Sequence, residues 1–196
     1  MKHTILALLV FAAFSVQAQT KWTLDKSHSN VNFAVGHMVF SEVTGLFREF
    51  DATLVASKDD LTDAKIEATI KTASIDTQNE RRDNHLRSDD FLNAEKFPEI
   101  KFVSTKVEKT GEKSYTITGN LTIRDVTKPV VLDTEFRGTV NDPWGNIKYG
   151  FKATTKIDRF EFGTTWNKAL EAGGLVAGRE IEITLLMQFA REKQQG

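Results

Sequence analysis

The chain is 196 residues long, 40% hydrophobic and 27% charged, the balance of one soluble globular domain rather than of a disordered or collagen-like chain. Lys and Arg total 26 against 27 for Asp and Glu, so at a formal charge of −1 no basic field exists to hold a nucleic-acid backbone, and nucleic acid is not an expected partner. Cysteine is absent, which excludes disulfides, thiolate metal sites and Cys nucleophiles.

At the N-terminus, Lys2 and His3 precede an apolar run from Ile5 to Phe14, followed by Ser15-Val16-Gln17-Ala18. This order predicts a cleaved secretory signal over 1–18 and an exported domain over 19–196. The apolar run is about half of the roughly 20 residues that cross a bilayer core as a helix, so no membrane span is expected.

Beyond Ala18 the dominant period is two. Val31, Phe33 and Val35 share one face; Ala64, Ile66, Ala68 and Ile70 oppose Lys65, Glu67, Thr69 and Lys71 in strict alternation. Tyr115, Ile117, Gly119, Leu121 and Ile123 form a third series, and Ile147, Tyr149, Phe151, Ala153, Thr155 and Ile157 a fourth. Ile181, Ile183, Leu185, Met187 and Phe189 form the last. Each series predicts a half-buried strand. Less regular strands are predicted over 22–25, 44–55, 100–107, 130–140 and 160–166, with Gly-, Pro- or Asp-bearing turns over 109–113, 125–129 and 141–145.

Eight to ten strands with one polar face each imply an all-β antiparallel sheet that hides its other face. Two packed sheets or one closed barrel both satisfy that pattern. The segment 77–92 lacks Gly and Pro and is mostly charged, which predicts a short polar helix serving as a lid and not as a core layer. One lid over an eight-stranded barrel suits an interior holding one small ligand.

Without His3, the histidines are His28, His37 and His85, none at a spacing that pre-organises metal ligands, so no metal or other cofactor is expected. Arg82 and His85 lie three apart on the predicted helix and can point the same way toward an anion, with Glu80, Asp83, Asp89 and Asp90 close by to neutralise the arginines. Gly173, Gly174 and Gly178 read as a loop, since no P-loop Lys or strand-then-helix setting accompanies them. Ser27 and Ser29 flank His28, but no nucleophile elbow surrounds them and strand neighbours face opposite ways.

Trp22-Thr-Leu-Asp-Lys-Ser-His-Ser29, Val31-Asn-Phe33, His37, Gly45-Leu-Phe47, Ser74-Ile-Asp-Thr77, Arg82-Asp-Asn-His-Leu86, Asp90-Phe-Leu-Asn93, Phe97-Pro-Glu-Ile-Lys-Phe102 and Gly119-Asn-Leu-Thr-Ile123 follow one another in an order that resembles the YceI family of polyisoprenoid-binding proteins. One departure is Lys26, where that family more often has Pro after the Asp. The resemblance implies a lipocalin-like antiparallel barrel in the bacterial periplasm whose apolar pore holds a long-chain amphiphile such as a polyisoprenoid, its phosphate or a quinone. On that reading the helix over 78–92 closes one end. Arg82 and His85 meet the head group, Asp83 orients the Arg or repels excess negative charge, and His28 is a further polar candidate. The apolar lining is expected from Phe33, Val35, Phe47, Ile66, Ile70, Leu86, Phe91, Leu121, Ile123, Phe151, Ile183 and Leu185. Binding rather than catalysis is expected, because no paired carboxylates or activated nucleophile stand out. The alternatives are fatty acid or fatty amide binding in the same pore, an enzyme using His28 or His85 as general base on an isoprenyl lipid, and an interaction module whose barrel is filled by its own side chains. A homodimer through edge strands is left open.

Overall fold

The computed structural model describes residues 19–169 and 175–192; the expected signal and Gly173 and Gly174 lie outside them. Within the described residues the alternating segments form eleven strands that occupy eight positions around a closed barrel. Strands β1 (Thr20–Leu24) and β2 (Asn30–His37) lie in line, parted by one turn of 3-10 helix at Lys26–His28, and both run antiparallel to β11 (Ala177–Arg191). Strands β3 (Ser41–Phe47) and β4 (Phe50–Ala56) are likewise in line, beside β2 and β1. Strands β5 (Lys65–Lys71) and β6 (Ile75–Asp76) continue the circuit against β4 and β3. Then come β7 (Glu99–Lys109), β8 (Ser114–Ile123), β9 (Val126–Asn141) and β10 (Ile147–Asp158), each antiparallel to the next, and β10 pairs with β11 to close the ring. Closure pairs most strands on both sides; among the described residues Ser41–Gly45 of β3 pairs with β2 alone.

Period-two alternation turns every second side chain inward, where the residues pack as two clusters. The lower one includes Trp22, Leu54, Tyr115, Ile117, Leu132 and Phe189; the upper one includes Ile100, Leu121, Ile123, Ile157 and Phe162. Helix α1 (Glu80–Arg87) lies at the upper end, where β2 turns into β3.

Four local expectations are revised. The helix is shorter than 78–92: Asn79 caps its start by accepting from the Arg82 amide at 3.0 Å, and Ser88 ends it by bonding the His85 carbonyl through its hydroxyl at 2.7 Å. Ser, Asp and Asn side chains compete with helical backbone bonds, so 88–97 goes on as turns. The segment 160–166 is not a strand, because the Asp158 carboxylate accepts from the Phe160 amide at 2.9 Å and winds Arg159–Phe162 into a 3-10 turn that Gly163 ends at φ +76°. The strand expected over 44–55 is broken at Arg48 and Glu49, whose backbone groups bond to Ser74 and Lys71 and turn the corner with β5 and β6. The turn expected over 125–129 is confined to Arg124 and Asp125, and β9 runs on through Pro129, which pairs with Asn120.

Candidate functional site

The upper part of the barrel is not filled by its own side chains. It encloses a cavity of about 400 Å³ with overwhelmingly apolar walls. All twelve apolar side chains named from the sequence, Phe33, Val35, Phe47, Ile66, Ile70, Leu86, Phe91, Leu121, Ile123, Phe151, Ile183 and Leu185, face it. The lining side chains that can carry positive charge are His37, Arg82, His85 and Arg159, all at the upper end.

That end is covered by α1, by the turns of 88–98 and by 159–169. Arg124 clamps the last two together, donating to the carbonyls of Phe91 at 2.8 Å and Gly163 at 3.3 Å. The His85 ring meets Phe91 and Trp166 edge-on, each at 5.0 Å between centroids, and its Nε2 lies 2.8 Å from the Asp90 carboxylate. Arg82 donates through Nε to the Thr77 hydroxyl at 2.7 Å and through Nη2 to the Thr77 carbonyl at 2.8 Å, and its other terminal nitrogen has no acceptor among the described residues.

Asp83 does not line the cavity. It is buried at 5% exposure and accepts from the amide and hydroxyl of Thr77, at 2.9 and 2.5 Å, so its part in the site is to hold the residue that holds Arg82. His28 is also absent from the cavity. Its side chain is 64% exposed on the 3-10 turn between β1 and β2, and its Nδ1 lies 3.0 Å from the Asp25 carboxylate. That corner is structural: the Asp25 amide bonds the Gln188 carbonyl at 2.7 Å, and the Ser29 hydroxyl joins the Asp25 carbonyl to the Gln188 amide. Among the described residues no three His, Cys, Asp or Glu side chains converge as a metal site would require.

A barrel with one lidded end and this succession of residues is matched by the family model of a YceI-like domain, over residues 22–189. The chain belongs to the YceI-like family. It is 41% identical over 187 residues to the UPF0312 protein plu2095 of Photorhabdus laumondii, covering 95% of this chain and 94% of that one. Among solved structures it is similar to the YCEI protein of Campylobacter jejuni, at 36% identity and a TM-score of 0.68, covering 88% of this chain and 98% of that one. The fold is shared with a polyisoprenoid binding domain from Saccharophagus degradans implicated in plant cell wall breakdown, at 13% identity and a TM-score of 0.60, covering 87% of this chain and 98% of that one.

Of the chargeable lining residues of this YceI-like barrel, Arg159 is not named from the sequence, and His37 reads there equally as an exposed or a functional side chain. Arg159 is 4% exposed and donates to four carbonyls: Gly178 at 2.8 Å, Thr164 at 2.5 Å, Trp166 at 2.9 Å and Ala177 at 3.1 Å. Its guanidinium also lies 5.6 Å from the Phe91 ring. Burial pushes its pKa down from the ordinary value, but a guanidinium so placed stays charged, and neutral carbonyls take the place of water around it. The signal was phase. Arg159 continues the odd-numbered series that ends at Ile157, and His37 continues Val31, Phe33 and Val35, so both are polar side chains on an inward course where the strand reaches the rim.

Proposed function

We propose that this YceI-like barrel binds one long-chain amphiphilic lipid, with its tail in the cavity and its head group at the upper end beside Arg82, His85 and Arg159. The observation that carries the reading is the polarity of the cavity: walls that are mostly apolar and, among the described residues, cationic side chains at the upper end alone. Its volume of about 400 Å³ falls within the roughly 300–1,000 Å³ of small-molecule sites. Each methylene-sized group removed from water contributes about 0.8 kcal/mol, so the tail supplies most of the affinity and the rim selects the head. Two guanidinia favour an anionic or strongly accepting head, a phosphate or carboxylate ahead of a neutral amide. A polyisoprenoid phosphate fits this chemistry, and the fold shared with a domain described as polyisoprenoid binding supports the choice of tail. The basic start and apolar run of 1–18 support export, in keeping with a periplasmic carrier.

Native mass spectrometry of residues 19–196, purified without detergent from a host that makes isoprenoid lipids, tests the reading. The expected result is a stoichiometric added mass that organic extraction resolves to a prenyl lipid, and about tenfold weaker farnesyl phosphate binding in Arg82→Ala. A clean apo mass with no uptake of added farnesyl phosphate, quinone or fatty acid overturns it.

A further inference from the structure

The cavity does not run the length of the barrel. It ends where Leu54, Phe151 and Phe189 face it, and below them the lumen is filled with rings. Trp22 and Tyr149 stack at 3.8 Å between centroids with their planes 24° apart. Phe136 stands edge-on to Tyr149 at 5.3 Å and lies 5.2 Å from Phe151, which in turn lies 6.2 Å from Phe189. The register sets the stacked pair beside the residues that end the cavity: Trp22 lies opposite Leu54, and Tyr149 opposite Phe189. Beneath the stack, Leu61 is 5% exposed and packs in the same cluster, from a loop where it is held at φ +59°. Asp63 fastens that loop by accepting from the amides of Ser57 at 3.0 Å and Lys58 at 3.1 Å.

Resting on the lipid-binding reading above, we propose that this aromatic floor is a length stop, and that Trp22 and Tyr149 determine which tail lengths the protein binds. A tail entering from the upper end gains contact with every added carbon until its terminus meets the stacked pair. Each methylene up to that point strengthens binding about fourfold. Beyond it, further carbons either stay outside in water or displace packed rings, and affinity stops rising. The stop is rigid because stacked, close-packed rings have no lower-energy place to go. Directly above the floor, Ala52 and Ala68 lie opposite one another on β4 and β5 and line the cavity with little more than methyl groups, so the level of the floor is open to change from that side.

The test is a binding series with geranyl, farnesyl and geranylgeranyl phosphate and straight-chain fatty acids of rising length, on the wild type and on variants that move the floor both ways. Tyr149→Leu and Trp22→Leu lower it, and Ala52→Leu raises it; circular dichroism selects the variants that fold. The expected wild-type result is a rise in affinity and then a plateau. The break moves to longer tails in the lowered variants, with about tenfold gain for the first tail past the wild-type break, and to shorter tails in Ala52→Leu. A break that stays in place in every folded variant, or a wild-type affinity that never levels off, overturns the length stop while leaving lipid binding intact. No binding of any member overturns the lipid reading and the stop with it.

Discussion

Asp83 positions Arg82 through Thr77: the Thr77 hydroxyl donates its one proton to the Asp83 carboxylate and accepts from Arg82 Nε. Two side chains adjacent in sequence thus meet through a third residue five or six positions away. The carboxylate is buried, and the guanidinium reaches the cavity. Asp83→Ala leaves the Thr77 amide and hydroxyl without their acceptor, at an expected cost of about 1–3 kcal/mol in urea denaturation. Arg82→Ala removes the cavity-facing member and leaves the Asp83–Thr77 bonds in place, so it lowers stability by less. Equal losses in the two variants would contradict a corner anchored mainly by Asp83.

Arg159 is the most demanding side chain of the lid. It satisfies four carbonyls on 164–166 and 177–178, which no shorter or less forked side chain can do. Arg159→Met therefore costs on the order of 3 kcal/mol in chemical denaturation. Arg159→Lys recovers little of it, because an ammonium has three donors from one point. Release of 164–166 also frees Trp166 from Phe91 and His85, which emission of Trp166 reads as a shift to longer wavelength. Full rescue by Lys would mean that charge alone, and not the forked geometry, is what the lid needs.

Most of the barrel was legible because its physics is local. A strand with one face in an apolar interior must alternate, and the five alternating series fall on β2, β5, β8, β10 and β11 with their apolar members inward. Strand breaks were not legible, since Arg48 and Glu49 turn a corner through backbone bonds to residues that only closure of the barrel brings near. His28 and Asp83 were named for their chemistry, and chemistry does not report direction. One lies outside on a corner and the other is buried under Thr77. Arg159 and His37 were readable in principle from phase, but a polar residue at a strand end reads as the start of a loop until the rim is seen to be lidded.

Gly119 and Gly36 both lie on barrel strands and differ in what a side chain would meet. A Cβ at Gly119 would fall 2.3 Å from Phe102 Cζ and 2.7 Å from the Val103 carbonyl oxygen, whereas at Gly36 nothing lies within 4 Å. The Phe102 ring edge occupies the space that Gly119 leaves, and Phe102 lines the cavity. Gly119→Ala forces the ring inward and shifts backbone, with an expected loss of about 1–3 kcal/mol and a smaller cavity. Gly36→Ala should stay within about 0.5 kcal/mol of the wild type. Thermal denaturation of the pair separates them, and equal melting temperatures would contradict the close approach.

The β2–β3 turn holds Met38 at φ +52° and Val39 at φ +73°, a region that branched side chains enter at a cost of roughly 1–2 kcal/mol. Val39 is 76% exposed, so its side chain recovers little by packing. Val39→Gly removes the steric cost and adds roughly 0.5–1 kcal/mol of unfolded-state entropy, for a net gain in stability of several tenths to about 1 kcal/mol. A loss of stability in urea denaturation would mean that the exposed Val39 side chain makes contacts worth more than its strain.

Asp25 ties the acid stability of the fold to the closing corner of the barrel. Burial by itself would raise its pKa, but hydrogen bonds from His28 and Lys148 outweigh burial and hold it at about 2, below the ordinary 3.8. The Lys148 ammonium lies 2.9 Å from one oxygen, and the Gln188 amide donates to the same atom at 2.9 Å. A carboxylate with a lowered folded-state pKa stabilises the fold fully above its unfolded pKa and loses that contribution as pH falls through the folded value. Here the window runs from about pH 4 down to about pH 2, and the amount at stake is about 2 kcal/mol. Other carboxylates, Asp142 and Asp158 among them, are also held below the ordinary carboxylate range by hydrogen bonds, so the informative quantity is the difference between wild type and Asp25→Asn at each pH. That difference should be about 2 kcal/mol near neutrality and shrink toward zero near pH 2, as measured by urea denaturation across the range. A difference that stays constant down to pH 2 would mean that Asp25 acts through its hydrogen-bond geometry alone and that its charge adds nothing.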